Sequence, residues 1–242
     1  MKKIILVLIF LLLASFAWSV GDKDKKVPSS KVIDSGTFSI FLNGKRIATE
    51  KFNIEQGADV GTITSEIKVD DGNSKAEQSA EMQVATNGDL RVYKWHSTLP
   101  EKEESIIEPK EQFLVEHLTA ADQKKRDVPY ILPLSTIILD DNFFSHRELL
   151  VWRYLASSCI PKDNQLSCGP TNFGILVPRQ HLAANTKVEL LGRDKVAIKN
   201  IERELNKIKL DADGVQWFIW VDDNYKVLKM AIPSNNVEVW RD

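Results

Sequence analysis

Hydrophobic and polar residues alternate along this chain from about residue 34 onward, which is the pattern of half-buried β-strands. Three Asx-Gly pairs separate the first alternating runs: Asn43-Gly44, Asp71-Gly72 and Asn87-Gly88. Such pairs favour the tight turns of β-hairpins, because both residue types accept a positive φ. The pattern therefore predicts an antiparallel meander in the first half of the domain.

One helix is predicted in the middle of the chain, at about residues 142–156. Apolar residues recur there at helical spacing, namely Phe143, Leu150, Val151, Tyr154 and Leu155. Two local caps are compatible with its start: Asp141 alone, or a capping box of Ser145 with Glu148.

Strand patterns resume after the helix. Residues 195–210 fit either a helix or a strand, and we favour the strand because Asp213-Gly214 then forms a hairpin turn into residues 215–221. The run at 215–221 is apolar on both faces, so we expect it to be covered on both sides. The predicted domain is mainly β, covers residues 34–242 and contains about ten strands and one helix.

The first 19 residues are typical of a cleaved bacterial signal peptide. Lys2 and Lys3 precede an apolar run at residues 4–13, and small residues at cleavage spacing then fit cleavage after Ala17 (with Ser15) or after Ser19 (with Ala17) equally well. The apolar run is shorter than the roughly 20 residues of a membrane span, and no cysteine near the cleavage site offers lipid attachment. We therefore predict a periplasmic or secreted protein without a transmembrane segment in the mature chain, whose residues 20–33 form a polar linker.

Charge and cysteine content narrow the possibilities further. The chain has 32 basic and 34 acidic residues, and no basic run is interleaved with aromatic residues. Nucleic-acid binding, which needs a positive surface to meet phosphates, is therefore not expected. The two cysteines, Cys159 and Cys168, are predicted to form a disulfide, because an even count in an exported chain indicates pairing.

No sequence motif for catalysis, metal binding or cofactor binding is present. The chain lacks the nucleophile elbow, the zinc-protease helix, the P-loop and the dinucleotide fingerprint. We therefore predict no catalytic residue, no metal site and no cofactor. The nearest cluster of candidate ligands is Asp140, Asp141, Asn142 and His146. It indicates either a cation site or, as we favour, acids that cap the helix near its positive dipole end.

The order of these elements resembles that of a known group. The chain opens with an Asn-Gly hairpin, carries one helix after a mid-chain loop, and ends in a hairpin around FIWVDDNYKVLKMAIP, residues 218–233. This is similar to uncharacterised secreted bacterial proteins related to the periplasmic lipoprotein carriers, the LolA-like superfamily. The resemblance implies a curved, incompletely closed antiparallel β-sheet, a half-barrel, with the helix packed on its concave side. It also implies a cavity that accepts acyl chains.

Large apolar residues near the helix are the candidates for lining such a cavity: Phe143, Phe144, Leu150, Trp152, Tyr154, Trp217 and Trp220. They fit an ordinary filled core equally well, which is the commoner position of large apolar side chains. Trp152 differs, because it lies off the main apolar stripe of the helix, and we expect it to face a pocket or solvent.

Three functions remain open at this point. The first is a non-enzymatic carrier of a hydrophobic or amphipathic molecule, such as a lipid or a lipoprotein acyl chain. The second is a module of the cell envelope with a filled core, whose partner is an envelope protein. The third is a hydrolase of unrecognised type, which requires a histidine within hydrogen-bond reach of a carboxylate and a nucleophile.

Overall fold

The computed structural model describes residues 30–72, 74–162, 165–212 and 214–242. The predicted signal peptide and residues 20–29 of the predicted linker lie outside the described residues. The first strand begins at Lys31, so the last three residues of the predicted linker belong to the sheet.

The described residues of the first half form eight strands that pair antiparallel with their sequence neighbours. They are β1 (Lys31–Leu42), β2 (Lys45–Gln56), β3 (Val60–Asp70), β4 (Lys75–Ala85), β5 (Leu90–Leu99), β6 (Glu103–Lys110), β7 (Phe113–Thr119) and β8 (Lys125–Tyr130). Asn43 and Gly44 both have positive φ in the turn between β1 and β2, as the tight hairpin turn requires. The predicted meander is confirmed.

In the second half, the described residues form the helix and nine further strands. They are β9 (Ile137–Ile138), α1 (Ser145–Ser158), β10 (Cys159–Lys162), β11 (Gln165–Cys168), β12 (Thr171–Val177), β13 (Leu182–Ile198), β14 (Ile201–Ala212), β15 (Val215–Val221), β16 (Val227–Ile232) and β17 (Val237–Arg241). Most of residues 195–210 belong to the hairpin of β13 and β14, which confirms the strand prediction. The helix begins and ends a few residues later than the predicted 142–156.

Fifteen of these strands form one sheet, in the order β8-β7-β6-β5-β4-β3-β2-β1-β17-β16-β15-β14-β13-β12-β9. All neighbours are antiparallel except β9 and β12, which are parallel. The last strand, β17, pairs with β1, so the two halves of the chain meet in the middle of the sheet. The edge strands β8 and β9 do not pair with each other, so the curved sheet is not closed.

The helix packs on the concave face of this sheet. Buried residues from strands of both halves join those of α1 in one core, among them Phe38, Ile63, Met82, Ile219 and Leu150. A smaller cluster of Ile198, Leu205 and Trp220 lies apart from this core. No helix in the described part of the chain has the length and apolar composition needed to cross a membrane.

Cys159 and Cys168 are bonded to each other, as predicted. They are directly opposite one another in the small hairpin of β10 and β11, which follows α1 without a break. The disulfide therefore closes the segment in which the chain leaves the helix and returns to the sheet.

Candidate functional site

The N-terminus of α1 is capped by a carboxylate from a distant strand. Glu50 of β2 is fully buried, and its two oxygens accept hydrogen bonds from the backbone N–H groups of Phe144 (2.7 Å) and Ser145 (3.2 Å). Burial raises the pKa of Glu50 to about 7, although these hydrogen bonds favour its ionised form. The start of the helix is therefore hydrogen-bonded to β2 through the carboxyl group of Glu50, which titrates near neutral pH.

The two predicted local caps are wrong, since no side chain caps the helix from within its own segment. Asp141 accepts a hydrogen bond from Arg179 instead. The hydroxyl of Ser145 lies 2.7 Å from that of Ser65 on β3. Glu148 accepts the backbone N–H of the first residue of β16 at 3.2 Å. Each predicted capping group is thus used for a tertiary contact.

Arg179 holds the segment before the helix. Its Nη2 donates to Asp140 Oδ1 at 2.7 Å and also to Asp141, while its Nη1 donates to Gln78 Oε1 at 3.1 Å. The hydroxyl of Tyr93 donates to the other oxygen of Asp140 at 2.7 Å. The acids considered as a cation site therefore bind a guanidinium of the protein. Within the described residues, no group of three or more potential metal-ligating side chains occurs.

A second buried ionic group ties the helix to the first and last strands. Asp34 Oδ1 accepts hydrogen bonds from Arg241 (2.6 Å) and Lys226 (2.7 Å), and Arg241 Nη1 lies 3.6 Å from Glu148 Oε1. Burial and the neighbouring Asp34 carboxylate raise the pKa of Glu148. Burial opposes ionisation of Asp34, but hydrogen bonds from Arg241 and Lys226 lower its pKa. The second oxygens of this carboxyl pair, Asp34 Oδ2 and Glu148 Oε2, are buried without a hydrogen-bond partner among the described residues.

His146 and Arg147 complete the dense start of the helix. The ring of His146 lies between those of Tyr93 and Phe143, with centroids 5.7 and 5.6 Å away. Burial lowers the pKa of His146 to about 3, so this imidazole is neutral and packs as a core residue. The Arg147 guanidinium lies 4.5 Å from the ring of Trp217, and burial lowers the pKa of Arg147 to about 10.

The second half of α1 borders a groove, which we name the helix groove. One wall is a single face of α1, formed by Leu149, Trp152, Arg153, Ala156 and Ser157. The facing walls come mainly from the hairpin of β4 and β5 and from the segment at β9, and include Met82, Val84, Leu90, Thr136, Ile137 and Ile138. The volume of the groove is about 580 Å³, which is within the usual range of small-molecule sites.

Two polar groups stand out in this mainly apolar groove. Arg153 is the single charged residue among its described lining residues, and its Nη1 donates to the backbone carbonyls of Ser135 (2.9 Å) and Gly88 (3.2 Å). The buried hydroxyl of Thr136 has no hydrogen-bond partner among the described residues. The indole N–H of Trp152 donates to the carbonyl of Tyr225 at 2.9 Å, which fixes the orientation of its ring. The groove thus combines apolar walls with one cation, one unpaired hydroxyl and four further polar residues, Gln56, Thr86, Asn87 and Ser157.

The seven residues predicted to line a cavity are placed in three different environments. Trp152 lines the helix groove. Phe143, Phe144, Leu150 and Tyr154 are buried in the main core, and Trp217 packs against that core.

Trp220 belongs to the separate small cluster, and its indole N–H donates to Asp194 at 3.1 Å. The prediction that Trp220 lines a cavity beside the helix is therefore wrong. Trp217 and Trp220 are three positions apart in β15, and side chains of a strand alternate between its two faces.

Sequence reasoning missed the residues that matter most here. Glu50 lies in β2 on the same face as Ala48, Phe52 and Ile54, all of which are buried. An acid at a core position of an alternating strand is a recognisable signal for a buried functional or structural carboxylate. Thr136 and Arg153 carry no such signal, because one is in a loop and the other lies at the edge of the helix stripe.

A second pocket, which we name the seam pocket, lies where the edge strand β8 approaches the turn after β12. Ser105 and Tyr130 both donate to the buried carboxylate of Glu116, at 2.6 Å each, and Tyr130 is also 2.8 Å from His181 Nδ1. In a Ser–His–acid triad the histidine binds the nucleophile directly. Here Glu116 lies between the serine and the histidine, so His181 is not placed to activate Ser105.

Comparisons with known proteins support only the fold. No protein-family model matches this chain, and no curated protein matches it. Among solved structures, the chain is similar to the beta-barrel-like protein of domain of unknown function DUF1849 from Brucella abortus. The TM-score is 0.50 and the sequence identity 9%, with 86% of this chain and 94% of that chain covered. The likeness shows a β-barrel-like architecture shared with a protein whose function is itself unknown.

Proposed function

We propose that this protein is an exported, non-enzymatic binding protein that holds an anionic amphiphile, such as a fatty acid or another acyl chain, in the helix groove. The lining of the groove is the observation that carries the proposal. Apolar side chains of α1, β4 and β5 surround a space of about 580 Å³, and Arg153 supplies a single positive charge. An apolar tail with one negative head group is the complement of that surface.

The apolar walls favour a chain over a compact polar ligand. Met82, Leu90, Ile138 and Leu149 offer no hydrogen-bonding group to a sugar or a nucleotide. Each methylene of an acyl chain gains about 0.8 kcal/mol on leaving water for such a site. The affinity should therefore increase with chain length until the groove is filled.

The polar groups of the groove suit the head group. Arg153 uses one guanidinium nitrogen for its two backbone contacts, so other N–H groups remain for a carboxylate. The hydroxyl of Thr136 is buried and unpaired within the described residues, and an unpaired buried hydroxyl costs about 1–3 kcal/mol. A ligand that approaches Thr136 with an acceptor oxygen relieves this cost.

Export to the periplasm, or full secretion, is part of the proposal. The disulfide between Cys159 and Cys168 supports it, because such bonds persist in oxidising compartments. The residues typical of a signal peptide also support export. The resemblance to periplasmic lipoprotein carriers supports an acyl chain as the ligand class.

A fluorescent fatty acid tests the proposal. We expect saturable fluorescence enhancement of dansylaminoundecanoic acid with the wild type, and at least a tenfold loss of affinity in Ala156→Trp, whose indole fills the groove. Ala156 is exposed, so the free energy of unfolding should change by no more than about 0.5 kcal/mol. Ala197→Trp, at an exposed position of β13, is the matched control and should bind normally.

Two results would count against the carrier function. The first is no uptake by the wild type, and the second is equal uptake by Ala156→Trp. Either result would favour the envelope-module alternative, for which the exposed apolar residues Ile131 (96% exposure) and Ile160 (65% exposure) are the first separate positions to test.

A further inference from the structure

The seam pocket lies apart from the helix groove and has a volume of about 530 Å³. Its inner surface contains one continuous row of side chains across four neighbouring strands. Trp95 of β5 is opposite Ser105 of β6, Ser105 is opposite Leu118 of β7, and Leu118 is opposite Arg126 of β8. Directly opposite residues project from the same face of a sheet, so the row contains an aromatic ring, a serine whose buried hydroxyl is bound to Glu116, an aliphatic group and a cation in that order.

The charge of Arg126 is available to a ligand. Two other bases of the pocket are already paired: Arg179 with Asp140 and Asp141, and Lys124 with Asp122. Lys125 also lines the pocket, next to Arg126 in β8. Arg126 has no carboxylate within ion-pair distance among the described residues. It contacts His181 Nε2 at 3.1 Å through one nitrogen, which leaves further N–H donors in its guanidinium.

Four acids line the pocket, Glu103, Glu104, Glu116 and Asp122, and none of them forms an ion pair with Arg126 among the described residues. Glu116 is 1% exposed, and both of its oxygens accept short hydrogen bonds, from Ser105 and Tyr130. His181 Nδ1 lies 3.3 Å from the same carboxylate. Glu116 is therefore held at the base of the pocket by its own hydrogen-bond partners. Arg126 faces the pocket from the exposed edge of the sheet.

We propose that the seam pocket is a second binding site, which takes a small organic anion with a flat or extended apolar body. The anionic group, a carboxylate or a phosphate ester, binds Arg126, and the body lies over Leu118 towards Trp95. Neighbouring strands are about 4.8 Å apart, so the row from Trp95 to Arg126 spans roughly 14 Å. This length suits an aryl-alkyl acid better than a bare inorganic ion.

Isothermal titration calorimetry with four probes tests the site: 4-phenylbutanoate, 4-phenylbutyl phosphate, the neutral 4-phenylbutanol and inorganic phosphate. We expect at least one organic anion to bind, and the better of the two identifies the head group. The alcohol and inorganic phosphate should each bind at least about tenfold more weakly, because each lacks one of the two contacts.

Variants locate the site. Arg126→Gln removes the charge at an exposed position and should weaken the organic anion about tenfold or more. Lys110→Gln, at the exposed end of β6, is the matched control and should bind like the wild type. Ala156→Trp, which blocks the helix groove, should also leave this binding unchanged.

Three outcomes would overturn the seam site. They are no binding of either organic anion, equal binding by Arg126→Gln, and loss of binding in Ala156→Trp with retention in Arg126→Gln. The last result would place the anion in the helix groove, so that the carrier function stands while the seam site fails. The converse result is that the seam pocket binds an organic anion while the protein does not take up the fatty-acid probe. That result would support the seam site and count against the carrier function.

Discussion

Replacement of Glu50 by glutamine tests whether burial or the helix terminus controls this carboxyl group. Glu50 is fully buried and accepts two backbone N–H groups at the start of α1. Those N–H groups and the positive end of the helix dipole favour the anion, whereas transfer from water into the core favours the neutral acid. Burial is the larger effect, and it raises the pKa of Glu50 from its ordinary 4.5 to about 7.

The pH dependence follows from the sign of that change. The folded protein binds the proton of Glu50 more tightly than the unfolded chain does, so this group stabilises the fold fully below about pH 4.5. This contribution is lost as the pH rises through 7. Its size is about 3 kcal/mol, because each tenfold change in proton affinity is worth about 1.4 kcal/mol. Glutamine imitates the protonated acid and does not titrate. The free energy of unfolding of the wild type, minus that of Glu50→Gln, should therefore fall by about 3 kcal/mol between pH 4.5 and 8.

Urea denaturation followed by circular dichroism at a series of pH values measures this difference. Titration of His146 or of the Asp34 and Glu148 pair occurs in both proteins and cancels in the subtraction. Glu66→Gln is the matched control, because Glu66 is an exposed acid on the neighbouring strand β3. Its difference from the wild type should stay within about 0.5 kcal/mol at every pH. A wild-type advantage that grows with pH would show that the helix terminus outweighs burial and would refute this reasoning.

Two further predictions concern the core and the disulfide. Leu150 has no exposed surface in the main core, so Leu150→Trp should overpack it and lower the free energy of unfolding by about 1–3 kcal/mol; an unchanged urea midpoint would mean that space exists beside Leu150. Replacement of both Cys159 and Cys168, which are nine positions apart, by serine should cost about 2–3 kcal/mol on the chain-entropy model, while the circular dichroism spectrum keeps its β signature. A collapse of that spectrum would show instead that the disulfide is required for folding.

The sheet could be predicted from the sequence because its determinants are local. Alternation reports which face of a strand is buried, and Asn43-Gly44 or Asp71-Gly72 reports where the chain reverses. The start of the helix could not be predicted in the same way. Its cap, Glu50, lies 94 positions before Phe144, and a local motif search over Asp141, Ser145 and Glu148 cannot find a partner at that distance.

The candidate site was harder to predict for a related reason. Size and aromaticity selected Phe143, Phe144 and Tyr154, but such residues gain most by complete burial, and the structure places them in the core. The helix groove is lined instead by residues of ordinary appearance, such as Ala156 and Thr136, from separate parts of the chain. Trp152, whose position off the apolar stripe predicts a pocket or solvent environment, borders this groove.

The charges at one end of α1 explain how the other end can border an open groove. Polar contacts of Glu50, Arg179 and Arg241 hold the first turns of the helix and the segment before it to β2, to the turn after β12 and to β17. Buried ionic groups of this kind are a poor source of net stability, but they allow few alternative positions for the helix. The face that carries Leu149 and Ala156 therefore does not need to pack fully in order to keep its place. Because contacts outside the groove hold this face of α1 in place, ligand binding needs to order less of the protein. A ligand is therefore expected at this face of the helix rather than in the filled core around Leu150.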